Sequence, residues 1–251
     1  MSELRGIYTL WLREVKKFVR ERSRLVNAFV QPLLWLFIFG TGMRFSATVP
    51  GVNYQQFIFP GLVCQAMLFT AMFLGISVIW DREFGFLKEI LVSPMSRSSI
   101  FCGKMLGVST DVMIQGVVIF PFAFLIGAQM NVGIFLLSLP VMLLITFGLV
   151  CIGLTFASLM KSFEGFGLIQ TFINMPMFFL SGALFPLNNV PQWLQVVSLV
   201  NPLTYGVDAL RTVMIGQSWT GIAPISVDIA VLLVFDVVMF TVGTWAFSRT
   251  E

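Results

Sequence analysis

Few side chains in this sequence of 251 residues could carry chemistry, and their types exclude more than they offer. Histidine is absent, which removes imidazole acid–base catalysis and the common histidine-ligated zinc sites. Cys64, Cys102 and Cys151 are odd in number and widely spaced. They form no CxxC pair, so neither a disulfide framework nor a metal site is expected. Asp111, Asp228 and Asp236 lie within long apolar stretches. Asp236 is at the centre of the last stretch, where an ionised carboxylate in lipid costs at least about 2.5 kcal/mol. Such a group marks a transport pathway or proton relay, or is a protonated, hydrogen-bonded structural group. No lysine or arginine shares the apolar stretches with it, which favours the structural role. The phosphate-binding pattern GxxxxGK[ST] is also missing: Gly103-Lys104 has Ser98 in place of the first glycine and Met105 after it. No nucleotide site and no bound cofactor are expected on this chain.

The elements that hold these residues follow from composition. Hydrophobic residues make up 57% of the chain and charged residues 11%, whereas a soluble domain carries about 25% charged residues. A soluble enzyme and a disordered chain are both excluded. Six stretches reach the roughly 20 apolar residues a spanning helix needs: 25–43, 57–80, 105–128, 134–160, 166–187 and 225–247. They are continuously apolar and do not alternate with period two, so a strand barrel is a poor alternative. The expected fold is an all-α integral membrane protein with six transmembrane helices. All but Arg44 and Arg211 of the 15 lysines and arginines fall on one side of these spans, which predicts that side, and both termini, to be cytoplasmic. The basic lead before the first span is too long for a cleavable signal peptide.

Residues 1–24 are expected to form an amphipathic interfacial helix. Leu4, Ile7, Tyr8, Trp11, Val15, Phe18 and Val19 share one face, and Arg5, Arg13, Lys16, Lys17 and Arg20 the other, toward anionic headgroups. Residues 25–251 form the spanning domain. In segment 81–104, Asp81, Glu83, Lys88 and Glu89 intermix with Phe84, Phe86, Leu87, Ile90 and Leu91. This reads as a short helix presenting apolar anchors ringed by charge, a protein-docking knob. A solvated loop touching the bilayer surface is the other reading. Segment 186–224 holds Pro186, Pro191, Pro202 and Pro224, so two short helices, about 191–200 and 203–215, are expected in the outer leaflet. Asp208 and Arg211 are spaced to pair on one helix face. The Gly103–Gly107 GxxxG permits close helix approach but is frequent by chance in glycine-rich spans.

Two motifs together resemble the type-2 ABC exporter permeases, the family that includes drug-resistance and nodulation-export permeases. One is Pro202-Leu203-x-Tyr205 followed by Asp208 and Arg211, preceded by Pro191 and by Ser181-Gly182. It is similar to the family signature after span five, at the outer gate. The other is Arg82-Glu83-Phe84-Gly85-x-Leu87-Lys88-Glu89-x-Leu91, similar to the cytoplasmic segment that couples the permease to its ATPase. Phe59-Pro60-Gly61 opening span two also fits.

The resemblance implies a non-enzymatic half-transporter in the cell inner membrane. Two permeases, identical or related, would form the pathway. Two separate ATPase subunits would bind ATP and Mg and drive it, with a drug, lipid or glycolipid as lipophilic cargo and no nucleic-acid partner. The competing expectation is a proton-coupled secondary transporter using Asp236. A membrane-embedded enzyme ranks last, because no cluster of His, Cys or paired acids supplies the chemistry.

Overall fold

The computed structural model describes residues 3–20, 30, 34–35, 37–38, 53–92, 94–126, 131–216 and 219–249. Among these, every regular element is helical. In chain order they are α1 (Glu3–Arg20), α2 (Tyr54–Gly75), α3 (Ser77–Glu83), α4 (Phe86–Val92), α5 (Arg97–Ile119), α6 (Val132–Leu159), α7 (Phe163–Phe179), α8 (Gln192–Val200), α9 (Pro202–Ile215) and α10 (Ile225–Ser248). Short 3-10 turns occupy Phe120–Ile126 and Leu187–Asn189. The expected first span, 25–43, lies largely outside the described residues, as do Pro32 and Arg44.

Side-chain caps set several helix starts, each satisfying an N–H that the first turn leaves unpaired. Ser96 accepts from Ser99 N, Asn131 from Ile134 N, Ser162 from Gly165 N, and Asn201 from Leu203 N. The Ser96 cap explains why the third expected span begins at Arg97 and not at 105: the helix starts on a polar turn and carries Lys104 inside with it.

Among the described residues, four helical stretches are long and apolar enough to cross a membrane: Tyr54–Glu83, Arg97–Phe124, Val132–Leu159 and Ile225–Ser248. They correspond to expected spans two, three, four and six. The fifth, expected over 166–187, is the 17-residue α7. Its helix ends at Phe179, and the chain then turns through Gly182 at φ 69°.

The first of these stretches joins α2 and α3, because Ile76 between them keeps right-handed helical dihedrals and Trp80 N donates to its carbonyl at 3.0 Å. It is the hub, 78% buried across its apolar window, and packs against α5, α6, α7 and α9. Helix α10, only 11% buried, packs on α6 and α9 and turns Val234, Val237, Val238 and Trp245 outward. Helices in lipid gain little from burying apolar surface against one another, so contact depends on close backbone approach. Two glycines provide it at the α2–α6 crossing: a Cβ on Gly75 would lie 2.6 Å from the Gly153 backbone, and one on Gly153 2.7 Å from the Ala71 carbonyl.

The same device seats α1 on α5, which corrects two expectations. The Gly103–Gly107 motif is a contact surface and not a chance spacing. A Cβ on Gly103 would meet Leu10 at 2.9 Å, and one on Gly107 would meet Glu14 at 2.5 Å. The buried stripe of α1 is accordingly Gly6, Leu10, Glu14 and Phe18, one residue every four. Leu4, Tyr8 and Val19, assigned above to the same apolar face as Phe18, are exposed. Helix α1 thus has a bundle-facing stripe, an outward apolar stripe and a basic face.

Candidate functional site

Segment 81–104 begins as a helical hairpin, α3 and α4 joined at Phe84-Gly85. The turn is made by Gly85 at φ 78°, a conformation that side chains with a Cβ resist. Around its tip Glu83, Phe84, Phe86 and Glu89 are exposed, Phe84 to 65%. Val92, at the end of α4, is also exposed. The side chains of Leu87, Lys88 and Leu91 lie outside the described set. The tip thus presents two exposed aromatic rings beside two exposed carboxylates.

The base of the hairpin is clamped from four directions. Asp81, 3% exposed, accepts from Lys104 of α5 and from Arg13 of α1 at 2.7 Å. Lys104 is fully buried and also lies 3.7 Å from Glu14. Buried Lys104, Asp81 and Glu14 are thus balanced with the help of Arg13, whose side chain is 36% exposed. Arg82 turns inward, away from the tip. It donates to the carbonyls of Met160 at 2.6 Å and Ser158 at 3.0 Å, capping carbonyls that the end of α6 leaves unpaired. Trp80 packs edge-on against Phe163 at the start of α7, ring centroids 5.9 Å apart, with Lys17 of α1 above its face. Arg13 also lies 5.5 Å from the Phe86 ring, tying α1 directly to α4.

At the other end of the bundle, α8 and α9 occupy segment 186–224, with Pro191 preceding α8 and Pro202 opening α9. The Asn-Pro-Leu-Thr-Tyr run at 201–205 is a set of fasteners. Asn201 caps α9 and donates to Met177 O of α7 at 2.7 Å. Thr204 donates to Ser198 O and Tyr205 to Leu199 O, both in α8.

Asp208 and Arg211 are both buried, but the expected ion pair between them does not form. Asp208 accepts from Trp219 Nε1 at 2.9 Å, Ile222 N at 2.6 Å and Ala223 N at 3.2 Å, which anchors the chain entering α10. Arg211 donates Nε to Phe57 O at 3.0 Å and one terminal nitrogen to Gly182 O and Ala183 O at 2.9 and 2.8 Å. Its guanidinium lies 3.7 Å from the Phe57 ring centroid. The side chains diverge because each is taken up elsewhere, Arg211 by three backbone carbonyls on α2 and in the turn after α7, and Asp208 by three N–H donors of residues 219–223.

Asp236 is half-buried in mid-α10, its carboxyl against Gly148 of α6, where a Cβ would come within 2.6 Å of Oδ1. No described lysine or arginine pairs with it. Among the described residues no group of three or more Cys, Asp or Glu could hold a metal ion. The structure thus brings Asp81, Arg82, Glu83, Phe84 and Gly85 together at one end and Tyr205, Asp208 and Arg211 at the other, with Asp236 apart from both. Sequence reasoning missed the Lys104–Asp81–Arg13–Glu14 cluster. Its available signal was two opposite charges, Asp81 and Lys104, at the same depth where neighbouring spans meet the basic side.

Residues 5–215 match the family model of the ABC-2 type transporter. The chain is 29% identical to the ycf38 protein of Cyanophora paradoxa, whose name carries the words transport permease, over 94% of this chain and 87% of that protein. It is 28% identical to nodulation protein J of Rhizobium leguminosarum bv. viciae, over 90% and 87%. It is 26% identical to the inner membrane transport permease YadH of Escherichia coli K12, over 94% and 92%. With its long apolar helices, this chain belongs to the ABC-2 type transporter family as a membrane-embedded, multi-pass helical permease.

Proposed function

We propose that this chain is the pathway-forming half of an ATP-driven exporter, pairing with a second permease, identical or related, and moved by two separate ATPase subunits. Six spans, with both termini and the basic end in the cytosol of a cell inner membrane, complete the reading. The charge asymmetry of the loops supports that orientation. The cargo is lipophilic: a drug, a lipid or a glycolipid. ATP and Mg belong to the partner, in keeping with the missing phosphate-binding loop.

One observation carries the proposal: the α3–α4 hairpin has an exposed aromatic tip on a base fixed to α1, α5, α6 and α7. A partner's rigid-body movement passes on only through an element that does not yield. Glu83, Phe84, Glu89 and the neighbouring Leu87, Lys88 and Leu91 would meet the ATPase, while Arg82 positions the hairpin. The test is reconstitution with a candidate ATPase subunit. Phe84→Ala and Glu83→Gln should weaken assembly and cargo-stimulated ATP hydrolysis without loss of fold. Unchanged assembly and export would defeat the assignment.

A further inference from the structure

We propose that the cleft between α1 and α3 is a binding site for an anionic phospholipid, its headgroup held by the basic face of α1 and an acyl chain lying along the α2–α3 stretch. The cleft encloses about 680 Å³ and is walled by Arg13, Lys16, Lys17 and Arg20 on one side and by Trp80 and Phe84 on the other. Arg13 is engaged by Asp81, and Asp81 in turn by Lys104, so neither adds net charge. Among the described residues no carboxylate lies within ion-pair distance of Lys16, Lys17 or Arg20. Three cations thus converge on one concave surface with no described carboxylate paired to them, which favours a phosphate-bearing ligand.

A second groove decides what kind of phosphate. It measures about 290 Å³ and shares Lys17 and Trp80 with the first. From there it runs past Ser77 and Ile76 to Phe73, with Phe163 on its flank. Phe73 and Ser77 lie inside the Tyr54–Glu83 stretch that is apolar enough to cross a bilayer. A soluble anion or an acidic segment of a partner protein would fill the cationic cleft but has no means of occupying an apolar groove leading into the hydrocarbon. An amphiphile fills both, with the Trp80 ring at the junction, where amphipathic aromatic rings sit in membrane proteins. Because Lys17 and Trp80 belong also to the base of the α3–α4 hairpin, the bound lipid would brace it.

The test uses the full chain in nanodiscs of phosphatidylcholine with a minor fraction of phosphatidylglycerol, followed by native mass spectrometry of the lipid that stays bound. The wild type should retain phosphatidylglycerol in preference to phosphatidylcholine. Lys16→Gln, Lys17→Gln and Arg20→Gln should each lower that preference about fivefold, the weight of one surface cation near an anionic lipid. Lys161→Gln, outside the cleft, should leave it unchanged, and excess glycerol phosphate should not displace the lipid. Lys16 and Arg20 are exposed, so those variants retain the fold, which a thermal melt verifies. Equal retention of both lipids, equal losses in Lys161→Gln, or displacement by soluble glycerol phosphate would each overturn the proposal, the last by revealing a free-anion site.

Discussion

Lys104 and Asp81 form a buried ion pair joining the first turns of α5 to the last turn of α3, and Arg13 and Glu14 of α1 complete it on either side. The pair fixes where the hairpin leaves the bundle. Lys104→Met takes the described cation from buried Glu14 and leaves Asp81 with Arg13 alone, and removing one partner of a buried pair costs about 3–5 kcal/mol. We expect a marked fall in the thermal midpoint of the purified chain. The double variant Lys104→Met, Asp81→Asn should lose less than the sum of the single losses, the signature of direct coupling.

At the hairpin tip the expectation is the reverse. Phe84 is 65% exposed and its described ring contact is with Trp80, so Phe84→Ala should leave the thermal midpoint nearly unchanged. If Phe84 is an interface anchor, the variant should weaken binding of the ATPase by about 2 kcal/mol, roughly thirtyfold. Gly85→Ala has open space around its new methyl but the wrong backbone, φ 78°. It should cost about 1–2 kcal/mol through strain in the turn. Calorimetric binding titrations and melts on the same samples separate the two effects.

Arg211→Lys tests whether the guanidinium fork matters or only the charge. An ammonium cannot reach Phe57 O, Gly182 O and Ala183 O together. Each buried acceptor left bare costs about 1–3 kcal/mol. We expect Arg211→Lys to lower stability nearly as far as Arg211→Met, while Tyr205→Phe, which removes one bond to Leu199 O, costs about 1 kcal/mol.

Gly107→Leu should lift α1 from α5, because even a Cβ there would lie 2.5 Å from Glu14. Limited proteolysis with trypsin is the direct readout. Cleavage within α1 should accelerate strongly, while the spanning helices stay protected.

Asp236→Asn separates the two transport readings. With a structural carboxyl, the amide replaces it in nearly the same volume, and transport by the complete complex should persist and ignore an imposed proton gradient. Transport by the chain alone, lost in Asp236→Asn and on collapse of the gradient, would favour the proton-coupled alternative.

How much of this was legible in the sequence depends on whether a feature is local. Four of the expected spans and the broken segment 186–224 were, since apolar length and spaced prolines act within a few residues, whereas the Ser96 cap that moves the start of α5 to Arg97 was not read. The spacing of Asp208 and Arg211 suggested a pair, but spacing along one helix says nothing about backbone carbonyls arriving from α2 and the turn after α7. For the same reason Arg82 reads in sequence as part of the tip, whereas the end of α6, far along the chain, draws it inward. The buried face of α1 was misjudged because small and charged residues, Gly6 and Glu14, line it. Only the glycines and the lysine of α5 make such a face favourable.

The stretch Tyr54–Glu83 ends at one extreme in Asp81 and Arg82, and at the other in Phe57, whose carbonyl and ring both hold Arg211. At 1.5 Å per residue it is about 45 Å long, with one turn at Ile76 that the Trp80 N to Ile76 O bond spans. A partner that tilted its hairpin end would load the same helical stretch that holds Phe57, and Arg211 would pass that load to α9 and the chain around Gly182. The molecule's opposite poles thus share one structural member, a connection that passes through no long loop.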